Sequence, residues 1–219
     1  MHKPAVLWYI PNIIGYGRIA LLVGSAGLAS RYPQVALGAF LLNFALDGVD
    51  GAVARRLGQT SSFGAFLDVA VDVATRGLLW WSAPGGLGLP MLLLEALTFV
   101  CTHAAAGEAW KSEANFSAAP GWVQAVMANG FWSPAGVLAM AGLQGCPLWV
   151  WAQSCLPGTA WSSPLLGAVL VPGRLLAAAV ELWVMRRHMG FLLRGDAEAA
   201  EAAAAASAAG VAHPAAAAP

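Results

Sequence analysis

Charge is scarce in this sequence. Only 10 % of its 219 residues are Asp, Glu, Lys or Arg, and they cancel to a formal net charge of zero. So few charges cannot cover an ordinary soluble surface. The balance also gives no bulk electrostatic reason to expect nucleic acid as a partner. Cysteine is scarce too, with three residues in the chain. There is no CxxC and no His/Cys cluster, so zinc and dithiol redox chemistry have no sequence support. Cys101 falls in an apolar run and reads as a packed thiol. Cys146 and Cys155 fall in one expected loop, where a disulfide and two free thiols are both open. The opening MHKPAVLWYIPN is too short and too polar-ended for a cleavable signal peptide, so the first apolar segment is expected to target the chain.

Apolar residues, at 59 %, are what the chain has in abundance. Several runs have spanning length, which predicts an all-α, polytopic membrane protein of six transmembrane helices. The expected spans are about 13–30, 34–54, 62–82, 87–106, 121–143 and 164–186, with a tryptophan-rich loop over 145–163. Residues 1–195 are expected to form one membrane domain. Residues 196–219 are mostly alanine and are expected to be a disordered, low-complexity tail. Six spans put Lys3, Arg55, Arg56, Lys111, Arg186, Arg187 and Arg194 on one side and only Arg31 on the other. That asymmetry predicts that both termini and the 55–61 turn face the cytosol.

Against this background stands DGVDGAVARRLGQTSSFGAFLDVAVD, from Asp47 to Asp72. Aspartates are costly in apolar surroundings and mark a functional site by default. Asp47 and Asp50 are three apart and share a helix face, as do Asn43 and Ala54. Gly64, Asp68, Asp72 and Arg76 are each four apart and form a second stripe. The polar segment RRLGQTSS between them suits a turn, with one helix ending near Ala54 and the next starting near Ser62. An antiparallel pair would bring all four aspartates to one depth. Oxygen-only ligands suit Mg²⁺ or Mn²⁺, and two such ions make the usual clamp for displacement at phosphorus. Gly51 allows close approach to the backbone, and Arg55, one turn later, suits a phosphate.

The pattern Asp47-x2-Asp50-Gly51-x2-Ala54-Arg55-x8-Gly64-x3-Asp68-x3-Asp72 resembles, at all eight fixed positions, the signature of the CDP-alcohol phosphotransferases. These membrane enzymes move a substituted phosphate from a cytidine diphosphate compound to an alcohol. Within that family, IPNIIGYGRIALL (Ile10 to Leu22), the length and the six spans are similar to eukaryotic phosphatidylinositol synthases. The resemblance covers roughly residues 5–190. It implies that Asp47, Asp50, Asp68 and Asp72 hold two divalent ions, and that Gly51, Arg55 and Ser61 contact CDP-diacylglycerol. Asp72 would be the catalytic base toward the inositol hydroxyl. The resemblance also implies residence in the endoplasmic reticulum membrane and leaves a homodimer open. Val73 stands where those enzymes carry an arginine, and Arg76 comes one turn after Asp72 instead.

Other polar residues carry two readings each. Arg76 and Arg174 are acceptor-site candidates, or they pair with Glu95 and Glu181. Arg18 contacts phosphate at the cytosolic mouth, or snorkels. His103 reads as a core histidine, Lys111 as a loop lysine, and Gly24, Gly27, Gly38 and Gly136 as packing positions. Three functions remain open: an inositol transferase, a relative using glycerol 3-phosphate or serine, and a non-enzymatic channel or scaffold.

Overall fold

The computed structural model describes residues 4–81, 83, 86–106 and 116–208, and among these there is no strand. The helices are α1 (Pro4–Leu7), α2 (Ile10–Leu28), α3 (Pro33–Leu57), α4 (Ser62–Trp81), α5 (Gly88–Ala106), α6 (Gly121–Phe131), α7 (Pro134–Cys155) and α8 (Pro164–Ala208). A 3-10 turn, Ala160–Ser162, precedes α8. Proline opens α3 and α7, where its missing N–H is one the helix cannot pair anyway.

This is an all-α membrane protein. Among the described residues, three helices are long and apolar enough to cross a membrane: Pro33–Leu57, Pro134–Cys155 and the α8 segment Pro164–Ala205. The surface is inverted relative to a soluble protein. Val23, Leu165 and Leu175 face outward, whereas Asn12, Arg18, Asn43, Arg76, Glu95 and Arg174 are buried. That is the distribution expected when the outer solvent is hydrocarbon.

The chain departs from expectation at several places. α3 runs on past Ala54 to Leu57 and ends at Gly58, whose φ of +62° is the left-handed cap that favours glycine. The turn to α4 is therefore short, and the Ser61 hydroxyl accepts the Gly64 N–H at 3.0 Å. The expected fifth span over 121–143 is not one helix. The backbone leaves the helical region at Ala128, Asn129 and Gly130, and α7 starts afresh at Pro134. Ser133 caps it, its hydroxyl accepting the Gly136 N–H at 2.9 Å. Cys146 and Pro147 consequently lie inside α7 rather than in a loop. Cys146 and Cys155 are free and more than two turns apart on that one helix, beyond disulfide reach. Finally, α8 continues through Asp196 to Ala208, so this part of the tail is helical rather than disordered. Alanine is the strongest helix former. The side chain of His103 and all of Lys111 lie outside the described residues.

α4 touches α2, α3, α5 and α7. Ala36, Leu37 and Phe40 of α3 meet Leu79 of α4 and Trp151 of α7 in one core. Phe40 and Trp151 pack edge to face with ring centroids 5.4 Å apart. The tightest approach is between α7 and α8. A Cβ on Gly142 would stand 2.0 Å from the Arg174 backbone N, and one on Gly173 would stand 2.2 Å from the Leu138 O. These two backbones touch directly, and that contact fixes where Arg174 enters the interior. Gly24, Gly27 and Gly38 instead have open space where a Cβ would go, so of the expected packing glycines only Gly136 is crowded.

Candidate active site

The α3 and α4 stripes do converge. Carboxylate oxygens of Asp47, Asp50 and Asp68 lie within 4.8 Å of one another. Arg18, projecting from α2 and fully buried, stands among them. Its Nη1 donates to Asp50 Oδ2 at 2.9 Å and Asp68 Oδ1 at 2.8 Å. Its Nη2 reaches Asp47 Oδ1 at 3.0 Å and Asp72 Oδ1 at 2.5 Å. Arg18 is thus enclosed among the aspartates rather than snorkelling. Asn43 fastens it, donating to the Arg18 carbonyl at 2.8 Å. Four formal negative charges here meet one shared positive charge, Arg18, with Arg76 beside Asp72 alone. An all-oxygen, electron-rich donor set of this kind fits hard divalent cations.

Asp72 divides its two oxygens. Oδ1 faces Arg18, while Oδ2 accepts from Arg76 Nη1 at 3.0 Å and from Gln144 Nε2 at 3.1 Å. Arg76 then donates through Nε to Glu95 Oε2 at 2.6 Å. Glu95 Oε1 accepts from Trp80 Nε1 at 3.1 Å and pairs with Arg174 Nη2 at 3.5 Å. Arg174 Nη1 donates to Glu181 at 2.8 Å. The result is an alternating ladder of charges, Asp72, Arg76, Glu95, Arg174 and Glu181, that crosses α4, α5 and α8. The pairing alternative for both arginines is the arrangement found.

Two cavities flank the aspartates. The first, about 260 Å³, is lined by Gly51, Arg55 and Ser61 together with Asp50 and Asp68. Gly51 leaves room for the Arg55 guanidinium, since a Cβ there would lie 3.4 Å from Arg55 Nη1. Gly64 leaves room for Asn12, whose Oδ1 would be 2.9 Å from an added Cβ. The second cavity, about 170 Å³, has a polar edge of Asp47, Asp68, Asp72, Arg76 and Glu95 and an apolar wall that includes Met127, Leu143 and Val180. Asp68 lines both. Arg76 borders the second cavity, whereas Arg174 is not among the groups lining it.

The sequence pattern of the CDP-alcohol phosphatidyltransferase family matches residues 8–180. The chain belongs to that family. Members use divalent metals, in keeping with the aspartate cluster. Among its relatives is the CDP-diacylglycerol–inositol 3-phosphatidyltransferase of Saccharomyces cerevisiae, 40 % identical over 75 residues, 34 % of each chain. The Arabidopsis thaliana enzyme 1 of that name is 46 % identical over 79 residues, 35 % of this chain and 34 % of the relative. The Rattus norvegicus enzyme is 39 % identical over 80 residues, 36 % and 38 % of the two chains. The matched stretch thus spans about a third of the length of these relatives. No solved structure matches the chain.

Asn12 and Gln144 carry no role in a reading based on the aspartate motif, yet both meet the site. Each left a trace in the sequence. Asn12 follows Pro11 at the start of an apolar helix, and Gln144 is a lone amide inside PAGVLAMAGLQGCPLWVW. An amide in such a helix is expected to face the protein interior.

Proposed function

We propose that this chain transfers the phosphatidyl group of CDP-diacylglycerol to myo-inositol, releasing CMP. The observation that carries the choice of acceptor is the neutralisation of the buried arginines. Arg76 is held by Asp72 and Glu95, and Arg174 by Glu95 and Glu181. An acceptor that brings its own phosphate needs uncompensated cations, and this pair is already spent on carboxylates. A neutral polyol needs only hydrogen-bonding groups, and the second cavity offers Thr98, Thr102 and the ladder. The names of the relatives point to the same reaction.

In this reading the first cavity takes the cytidine diphosphate, with Gly51 admitting it, Arg55 pairing with phosphate and Ser61 contacting the nucleotide. Two Mg²⁺ or Mn²⁺ ions, held by Asp47, Asp50, Asp68 and Asp72, would neutralise the diphosphate and the departing CMP. The inositol hydroxyl oxygen attacks the phosphorus that bears diacylglycerol. The bond from that phosphorus to the CMP oxygen breaks, and the hydroxyl proton passes to Asp72. Alignment in the two flanking cavities supplies much of the rest.

The test follows CMP release from CDP-diacylglycerol with myo-inositol, glycerol 3-phosphate or serine offered separately. Inositol is expected to support release, and EDTA to abolish it. Faster release with glycerol 3-phosphate or serine would remove inositol as the acceptor. Release that persists in EDTA would remove the metal role.

The same reading takes α2, α3, α4, α5, α7 and α8 as six spans in the endoplasmic reticulum membrane, and residues 1–195 as the catalytic domain. Arg55 and Arg56 end α3, and Arg186, Arg187 and Arg194 lie along α8, a distribution of basic residues that supports a cytosolic position for these ends. In a variant lacking the native cysteines, Arg56→Cys and Trp161→Cys should label from opposite faces of sealed vesicles. Labelling from one face contradicts the topology.

A further inference from the structure

We propose that Gln144 is the positioning residue for Asp72: it fixes the plane of that carboxylate and thereby the direction from which an acceptor hydroxyl meets it. The inference rests on the proposed transferase reaction, because it concerns the base of that reaction.

The geometry is a closed triangle. Gln144 Nε2 donates to Asp72 Oδ2 at 3.1 Å, and Gln144 Oε1 accepts from Arg76 Nη1 at 3.0 Å. Arg76 Nη1 also donates to Asp72 Oδ2, at 3.0 Å. One amide therefore uses its donor on the base and its acceptor on the base's counter-charge. A carboxylate turns freely about its terminal torsion unless both oxygens are held. Oδ1 is held by Arg18, on the side of the aspartate cluster. Oδ2 is held on the side of the second cavity by Arg76 and Gln144 together, and the Arg76 guanidinium is itself shared with Glu95, which its Nε meets at 2.6 Å. Asp72 and Arg76 sit one turn apart on α4, so neither can brace the other against rotation of that helix. Gln144 comes from α7, the helix whose Met140 and Leu143 line that cavity, and so reaches Asp72 from a different element. It ties the base to the face that the acceptor must share.

The touching backbones of α7 and α8 make this brace stiff. Gly142, two residues before Gln144, lies against Gly173 and the Arg174 N–H. The amide is thus carried by a segment that cannot shift without moving α8.

The experiment compares Gln144→Met and Gln144→Glu in the full chain. Methionine keeps the length and apolar volume but loses both hydrogen bonds. Glutamate keeps the partner for Arg76, and so the fold, but loses the donor to Asp72. Both variants are expected to lower kcat for CMP release roughly 10- to 100-fold, as loss of a charge-assisted hydrogen bond implies. The KM for CDP-diacylglycerol should stay within about threefold, because the first cavity is untouched. A kcat unchanged in either variant overturns the proposal. So does a loss of kcat matched by an equal rise in the donor KM, which marks a general structural role. Failure of the underlying reading looks different: the wild-type chain itself would release no CMP with inositol.

Discussion

Asp72→Asn is expected to lower the rate of CMP release by about 10²- to 10⁴-fold, the usual contribution of a positioned base. The substitution preserves shape and burial. Its oxygen can still accept from Arg76 and Gln144 in the place of Oδ2. What it lacks is the charge that helps hold a cation and the ability to take a proton from the attacking hydroxyl. The chain should therefore fold, bind donor and fail at the chemical step. Initial rates at saturating CDP-diacylglycerol and inositol measure this. A variant within about fivefold of wild type would show that the proton leaves by another route.

Arg18→Gln is expected to have the largest effect on stability. The guanidinium is the one group that touches all four aspartates among the described residues. Removing one partner of a buried ion pair costs about 3–5 kcal/mol, because the remaining charges are left uncompensated. In EDTA the variant should unfold well below the wild type in detergent. Added Mg²⁺ should recover more stability for the variant than for the wild type, since a cation then replaces the missing positive charge. Thermal unfolding with and without Mg²⁺ reads this directly. Equal melting of the two proteins in EDTA would mean that the aspartates do not need Arg18.

The aspartate cluster was legible because helical spacing maps directly onto a shared face. Asp47 with Asp50, and Asp68 with Asp72, needed only a turn between them. The place of Arg18 was not legible. It lies 32 residues before Asp50 and 54 before Asp72, and spacing carries no information over such separations. Gln144, 72 residues beyond Asp72, was hidden for the same reason.

The misplaced fifth span has a different cause. Pro147 suggests a loop, yet proline is tolerated within membrane helices, where neighbours and small local adjustments satisfy the freed backbone groups. The true break carries its own signal in Asn129-Gly130, a turn dipeptide whose two residues both adopt positive φ. Up to Ala208 the alanine-rich tail is helical although it has no core to pack against. Alanine needs little tertiary support to stay helical near a preformed helix end.

The charge ladder also bears on the order in which the chain is made. Arg18 is synthesised first, and its counter-charges arrive with the next two helices, α3 and α4. Arg76 brings Asp72 on its own helix and meets Glu95 on the following one. Arg174 comes last, with Glu95 already in place and Glu181 on the same helix. In the proposed six-span topology, neither Arg76 nor Arg174 would enter the bilayer long before a carboxylate that can neutralise it. In the six-span reading, translation from the N-terminus would double as a schedule of charge compensation for the ladder.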